Sequence, residues 1–117
     1  MYTGMKDYNE ITLGTTVKLN VHIHPIGNLH MENYDFTCYV YTPEGNTVTI
    51  TKKDAVRVDA DNYIIVVDSL RIGTGRLYNR VMADLPDKDC PNGKRREIEV
   101  FDCKIKNTDT VGGNDSR

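Results

Sequence analysis

Apolar and polar residues alternate along much of this chain with a period of two, which is the spacing of a β-strand that buries one face. The clearest run begins at Thr15, where single polar residues separate four aliphatic ones. A loop containing Pro25 and Gly27 ends the run. We predict that this segment is the first long strand. Its core-facing residues are predicted to be Val17, Leu19, Val21 and Ile23.

Further segments of strand character recur at intervals of about 8–12 residues, with Gly, Pro, Asn and Asp between them. We therefore predict an all-β, immunoglobulin-like antiparallel β-sandwich of seven or eight strands over residues 15–106. An extended N-terminal arm (1–14), with a short pairing segment at Glu10–Leu13, and a polar C-terminal arm (107–117) are predicted to flank it. The later strands are predicted at Tyr34–Tyr41, around Val48 and Ile50, around Val56 and Val58, at Tyr63–Val67, at Arg76–Leu85 and around Ile98–Ile105.

The last strand carries apolar residues of both parities. Ile98 and Val100 have one parity, whereas Phe101, Cys103 and Ile105 have the other. Because successive side chains of a strand point to opposite faces, both sets cannot reach one core without a change of register. We predict either a β-bulge near Val100–Phe101 or burial of both faces.

Composition and charge argue against several functional classes. The chain has 117 residues, seven Tyr, two Phe and no Trp, and a formal net charge of −2, so no strong field attracts nucleic acid or anionic lipid. Its longest apolar run, Tyr63–Val67, is far shorter than the roughly 20 residues of a membrane helix. The N-terminus lacks a signal-peptide core. We expect a protein assembled in a cytosol, with no membrane or nucleic-acid partner.

The run Tyr63–Val67 is also apolar on both faces. That pattern is typical of a central strand, or of a strand that a partner chain covers. It is the first indication in the sequence of assembly with another subunit.

Catalytic and metal-binding candidates are weak. His22 and His24 point the same way on a strand and His30 lies beyond the following loop, but no cysteine or acidic cluster completes a metal site. Neither serine, Ser69 or Ser116, lies in a nucleophile turn. We expect no catalytic residue, no cofactor and no metal.

Other motifs have simple structural explanations. Gly73-Thr-Gly75 precedes a strand rather than a helix, so we expect a crossing between sheets and not a phosphate loop. The acids of the loop 86–93 are expected to cap turns, with calcium binding as the alternative. Lys94-Arg95-Arg96 is expected either to pair with nearby acids or to contact an acidic partner surface, rather than to bind nucleic acid. Cys38 and Cys103 are expected to be small buried hydrophobes rather than one disulfide.

Several short motifs follow one another in a fixed order between Asn62 and Val100. They are Tyr63-Ile-Ile-Val-Val-Asp68, Gly73-Thr-Gly75-Arg-Leu77, Ala83-Asp84-Leu85-Pro86-Asp87, the turn Asp89 to Gly93, and Arg95 with Glu97. Their order resembles a domain of virion proteins of tailed bacteriophages of gut Bacteroidales, including crAss-like phages and their prophages. The upstream hairpin, Phe36 to Lys53, is similar to the same domain, so the resemblance covers about two-thirds of the chain.

In that family the domain is an N-terminal β-sandwich that docks fibres or other parts onto the virion, and its members form oligomers. Because the sequence continues only a few residues past the domain, the resemblance implies a small accessory protein of the virion: a capsid decoration or head-fibre attachment protein acting by protein–protein docking. Capsid or fibre subunits and further copies of the chain are the implied partners. The alternatives are a tail or baseplate adaptor of the same fold, and a carbohydrate-binding β-sandwich, which the lack of Trp disfavours.

Tyrosines are the predicted contact residues. Tyr39 and Tyr41 share the second face of their strand, which makes that face amphipathic rather than polar. Tyr is enriched at the centres of protein interfaces. The predicted interface anchors are Tyr39, Tyr41, Tyr63 and Tyr78.

Overall fold

A computed structural model describes residues 8–23 and 29–109 of the chain. Within these ranges the protein consists of β-strands, three 3-10 turns and no α-helix. No helix in the described part of the chain is long and apolar enough to span a membrane. The strands are β1 (Asn9–Thr12), β2 (Thr16–Val21), β3 (Asp35–Tyr41), β4 (Thr47–Thr51), β5 (Val56–Asp59), β6 (Asn62–Asp68), β7 (Gly75–Pro86) and β8 (Lys94–Thr108), and the turns are Met31–Asn33, Lys52–Asp54 and Ser69–Arg71.

The strands form two sheets, so the prediction of an all-β architecture is confirmed. The larger sheet has the order β1-β8-β7-β3-β4, and the smaller has the order β2-β6-β5. Every pair is antiparallel except β1 and β8, which run parallel from the Asn9–Ile105 pair to the Thr12–Thr108 pair. Every pair within residues 15–106, the range predicted for the antiparallel sandwich, is therefore antiparallel, and β1 overlaps the pairing segment predicted in the N-terminal arm, but its parallel pairing with β8 was not predicted. The two segments lie near opposite ends of the chain, and a short strand carries no local signal of a distant partner.

The core lies between the sheets and is filled by the alternating apolar positions. Phe36 of β3 and Tyr63 of β6 meet edge to face, with ring centroids 5.1 Å apart. The four aliphatic residues predicted from the first long strand are all buried, as predicted. Each fully buried large apolar side chain contributes about 1.5–3 kcal/mol relative to exposure. Other core residues are Met31, Val40, Ile65, Ile72, Leu77, Val81 and Leu85.

The chain crosses from the small sheet to the large one between β6 and β7, where the sequence predicted a crossing. Asp68 caps the 3-10 turn there by accepting a hydrogen bond from the Leu70 N–H, 3.0 Å away. Gly73 and Gly75 then adopt φ angles of +101° and +123°, which favour glycine because it has no Cβ.

Asn107 of β8 holds this crossing in place. Its side chain is fully buried, and Nδ2 donates hydrogen bonds to the carbonyl oxygens of Ser69, at 3.1 Å, and Gly73, at 2.7 Å. The predicted C-terminal arm begins at Asn107, but β8 continues to Thr108. Residues 1–7 and 110–117 of the predicted arms, and the predicted loop at 24–28, lie outside the described residues.

Both alternatives predicted for the last strand are wrong. The pairing of β7 with β8 is continuous from Pro86–Lys94 to Tyr78–Asp102, so no bulge lies near Val100, and Ile98 and Val100 are exposed. The register shifts further along, between the Tyr78–Asp102 and Arg76–Lys106 pairs. Lys104 lies at this bulge with a φ of +59°. The two apolar parities of β8 therefore face opposite sides of the sheet.

Candidate protein-docking face

The outer surface of the large sheet, on the side opposite the core, carries apolar and aromatic side chains. On β3 and β7 every second residue is buried, and the intervening side chains point to the opposite face. The register places these outward residues side by side with those of β4 and β8. We call this surface the tyrosine face, and it consists of Tyr39, Tyr41, Thr47, Thr49, Tyr78, Arg80, Met82, Ile98 and Val100.

Three of the predicted anchors are neighbours on the tyrosine face. Tyr41 and Tyr78 are directly opposite in the β3–β7 pair, and their rings stack with centroids 5.8 Å apart. Tyr39 lies opposite Arg80, whose guanidinium carbon lies 4.7 Å from the centre of the Tyr39 ring. Each ring is half-buried against a neighbour before any partner arrives. The face therefore presents aromatic side chains in fixed positions.

Aliphatic side chains continue the tyrosine face onto β8. Ile98 lies opposite Met82, and Val100 lies opposite Arg80. Ile98 is 56% exposed and Val100 is 54% exposed, among the larger exposures of hydrophobic residues in the described chain. Contiguous exposed apolar surface is a mark of an interaction site, whereas single exposed aliphatic residues are normal.

A salt bridge lies at each end of the tyrosine face. At one end Arg96 Nε lies 3.2 Å from Asp84 Oδ1, and at the other Arg76 Nη2 lies 3.1 Å from Asp102 Oδ2. Hydrogen bonds from the Lys104 N–H and then from Arg76 hold the pKa of Asp102 below its usual range. An apolar centre with a polar rim is the usual anatomy of a protein interface.

The fourth predicted anchor, Tyr63, lies elsewhere. It is 4% exposed on the inner side of β6, where its ring packs against Phe36 and the Lys52 ammonium lies 5.8 Å from its centre. The tyrosine face instead includes Ile98 and Val100, which were not among the predicted interface anchors. Their parity, opposite to that of Phe101, was the signal that could have identified them.

No protein-family model, curated protein or solved structure matches this chain.

The small sheet also leaves aliphatic residues on its outer side. Val56 of β5 lies opposite Ile64 of β6, and Val66 lies two residues further along the same face. Val56 is 58% exposed and Val66 is 49% exposed. We call these three residues the aliphatic patch. The predicted two-sided character of Tyr63–Val67 is confirmed, because Tyr63, Ile65 and Val67 enter the core while Ile64 and Val66 face outward.

Two of the histidine candidates, His22 and His30, both contact Asp61, which was not among the predicted site residues. His22 Nδ1 lies 2.9 Å from the Asp61 carbonyl oxygen, and His30 Nδ1 lies 3.0 Å from Asp61 Oδ2. His24 lies outside the described residues. Within residues 8–23 and 29–109, no group of three or more His, Cys, Asp or Glu side chains is arranged to hold a metal. Asp61 links the β5–β6 turn to the segment before Met31 and has a structural role.

Charges of the loop 86–93 are also engaged structurally. Asp87 Oδ2 lies 2.7 Å from Arg95 Nη1, and Asp87 Oδ1 accepts a hydrogen bond from the Asp89 N–H. These hydrogen bonds hold the pKa of Asp87 below its usual range. Glu97 pairs with the other side of the same guanidinium, at 2.9 Å. The predicted turn-capping role is confirmed for Asp87, and the predicted ion pairing is confirmed for Arg95.

The cysteines and Ser69 do not form a nucleophilic site. Cys38, Cys90 and Cys103 are free thiols, with Cys38 fully buried, as predicted, and Cys103 only half-buried. Burial raises the pKa of Cys38 to about 12 and that of Cys103 to about 11, so both are protonated at neutral pH. Ser69 is fully buried, and its Oγ accepts a hydrogen bond from the Gly14 N–H.

Proposed function

We propose that this protein is a non-enzymatic structural virion protein of a tailed bacteriophage, an immunoglobulin-like sandwich that docks onto capsid or head-fibre subunits. The observation that carries the proposal is the tyrosine face, where Tyr39, Tyr41 and Tyr78 lie beside the exposed Ile98 and Val100. The resemblance of residues 62–100 to virion proteins supplies the class of partner.

The tyrosine face suits a passive contact between two folded proteins. Apolar surface removed from water contributes about 25 cal/mol per Å². The Tyr41–Tyr78 stack and the Arg80–Tyr39 contact already restrict these side chains, so docking costs little additional side-chain entropy. Threonine hydroxyls of β4 and the guanidinium of Arg80 provide hydrogen-bonding groups between the apolar side chains.

A double variant tests the proposal. Tyr39→Ala with Tyr41→Ala removes two rings from the tyrosine face and none from the core, so we expect a folded protein that is incorporated into particles at least about tenfold less than the wild type. The matched control is Val58→Ala with Leu70→Ala, which trims exposed side chains that belong to neither the tyrosine face nor the aliphatic patch. Particles are purified and the tagged protein is quantified. Unchanged incorporation of the tyrosine variant would overturn the proposal.

A carbohydrate-binding module is the second candidate, because partly exposed tyrosine rings on a sheet also suit the apolar face of a sugar. Stacking of Tyr41 on Tyr78 counts against it, since each ring already covers one face of the other. A glycan array separates the two functions. Saturable glycan binding that is lost on Tyr41→Ala, together with normal particle incorporation, would favour the sugar. Location of the protein in particle images separates a head protein from a tail or baseplate adaptor.

A further inference from the structure

A groove runs along the open side of the sandwich, beyond the Arg76–Asp102 end of the tyrosine face. It lies between β2, at the edge of the small sheet, and the inner side of β8, and its volume is about 520 Å³. Leu19 forms one wall, and Phe101 and Ile105, both only half-buried, form the other. We call it the edge groove. Its volume lies in the range of about 300–1,000 Å³ that is usual for ligand pockets.

The wall formed by β2 has an unused hydrogen-bonding edge. Among the described strands β2 pairs with β6 only. The Ser69 N–H donates to the Thr15 carbonyl oxygen. In the same register, every second residue of the chain after Thr15 directs its backbone hydrogen-bonding groups toward β6. The residues between them, Lys18 and Asn20, therefore direct their backbone N–H and C=O groups to the open edge beside the groove.

The floor of the edge groove contains an unsatisfied acceptor. Asn79 lines the groove and is 4% exposed, and its Oδ1 has no hydrogen-bond partner among the described residues. A buried carbonyl oxygen without a donor destabilises the folded state. A ligand that brings a donor to this oxygen supplies the missing hydrogen bond.

Charge at the rim of the edge groove is unbalanced. Lys18 and Lys104 place two positive charges beside it, and the Lys104 charge also helps to lower the pKa of Asp102. The acid on the same rim, Asp102, is already paired with Arg76. The rim therefore favours a ligand with negative charge.

We propose that the edge groove binds an extended acidic segment of a partner protein, which joins the small sheet as a strand beside β2. Alternate side chains of the segment point into the groove: aliphatic ones pack on Leu19 and Phe101, and a hydroxyl or amide donates to Asn79 Oδ1. Acidic side chains of the other parity lie beside Lys18 and Lys104. An added strand obtains its affinity from main-chain hydrogen bonds and its specificity from alternate side chains. This site is separate from the tyrosine face and stands without the proposed function.

Peptide binding tests the proposal. The probes are short synthetic peptides in which Glu alternates with Val and Thr, a charge-reversed set with Lys in place of Glu, and a set with Pro at alternate positions, which lacks the N–H groups that a ladder needs. Binding is measured by fluorescence anisotropy at low salt. We expect saturable binding of the acidic set with a dissociation constant below about 1 mM, and at least tenfold weaker binding of the other two.

Variants and thiol protection locate the site. Asn79→Leu keeps the side-chain volume and removes the acceptor, so we expect about fivefold weaker binding. Lys18→Glu is expected to weaken binding about tenfold, whereas its matched control Lys53→Glu is not. Bound peptide should slow alkylation of Cys103, which lines the groove, and not that of Cys90 in the loop.

The outcomes are distinct. The proposal would be overturned if no acidic peptide binds, or if the Lys or Pro peptides bind as tightly as the acidic ones. It would also be overturned if Asn79→Leu and Lys18→Glu leave the affinity unchanged. The Tyr39→Ala, Tyr41→Ala variant should bind peptide like the wild type. A failure of the tyrosine face to dock on particles therefore leaves the peptide result intact, and the reverse also holds.

Discussion

Tyr39 and Tyr63 are the same amino acid on neighbouring layers of the sandwich, and the parity of each residue within its strand decides what each can do. Tyr39 alternates with the buried Cys38 and Val40 and faces outward. Tyr63 has the parity of the buried Ile65 and faces Phe36. A tyrosine selected from the sequence for its size alone is therefore either a contact residue or a core residue, and the alternation around it distinguishes the two roles.

Stability measurements should separate these tyrosines. Tyr63→Ala removes a buried ring and leaves a cavity, so we expect the free energy of unfolding to fall by about 3–5 kcal/mol. Tyr39→Ala removes a ring that is half-exposed, so we expect a loss of about 1 kcal/mol or less. Urea unfolding followed by far-UV circular dichroism gives both values. Similar losses for the two variants would contradict the assignment of Tyr39 to an outer face.

The buried thiol of Cys38 gives stability a dependence on alkaline pH. Burial raises the pKa of Cys38 from 9.0 to about 12, so the folded state keeps a proton that the unfolded chain releases. Its stabilising effect is complete below pH 9 and is lost as the pH rises toward 12. We expect Cys38→Ala to decline less steeply than the wild type in urea midpoints measured across this range. Parallel declines would show that Cys38 does not titrate in this way.

At the scale of elements, β8 contributes residues to both candidate binding surfaces. Its outward parity adds Ile98 and Val100 to the tyrosine face, and its inward parity, at Phe101 and Ile105, lines the edge groove. The bulge at Lys104 separates the part of β8 that lies beside Tyr78 from the part that pairs with β1. Lys104 has a φ of +59°, a conformation that costs an L-residue about 1–2 kcal/mol.

Substitution at Lys104 measures that strain. Lys104→Gly removes the Cβ that opposes the positive φ, so we expect no loss of stability and a gain of up to about 1 kcal/mol. Lys104→Val places a β-branched residue there, and we expect a loss of about 1–2 kcal/mol or more. Urea midpoints of the two variants provide the comparison. A more stable Val variant than Gly variant would contradict the bulge at this position.

The sequence predicted the elements of this fold better than their arrangement. Period-two alternation identified the long strands and most of the core, because a half-buried strand leaves a local signal in each segment. The parallel pairing of β1 with β8 and the position of the bulge depend on which distant strands become neighbours, and no local pattern encodes that choice. Only part of the tyrosine face could be predicted, for the same reason. The parity of Tyr39 and Tyr41 is a local property of their strand, whereas their proximity to Tyr78 and Ile98 depends on the register between strands.

At the scale of the whole molecule, two apolar surfaces face away from each other. The tyrosine face covers the outer side of the large sheet, and the aliphatic patch of Val56, Ile64 and Val66 covers part of the outer side of the small one. The tyrosine face is aromatic and has paired charges at its rim, and the patch is purely aliphatic. The proposed role in joining virion components requires two independent contacts. We propose that the patch associates with a further copy of the chain and that the tyrosine face docks on the capsid or fibre.

Charge substitutions on the two surfaces test this division. Val56→Lys with Val66→Lys places two ammonium groups on the aliphatic patch, so we expect the proposed homo-oligomer to dissociate to monomers. Each monomer should stay folded, because both positions are solvent-facing. The matched variant, Ile98→Lys with Val100→Lys, should leave the oligomer intact and abolish docking on particles. Sedimentation velocity reports the first effect and particle incorporation the second. If the wild-type chain is monomeric, self-association through the patch is ruled out. If the Ile98 and Val100 variant is the one that dissociates, the tyrosine face is itself the contact between copies, and the capsid contact must be sought at the edge groove.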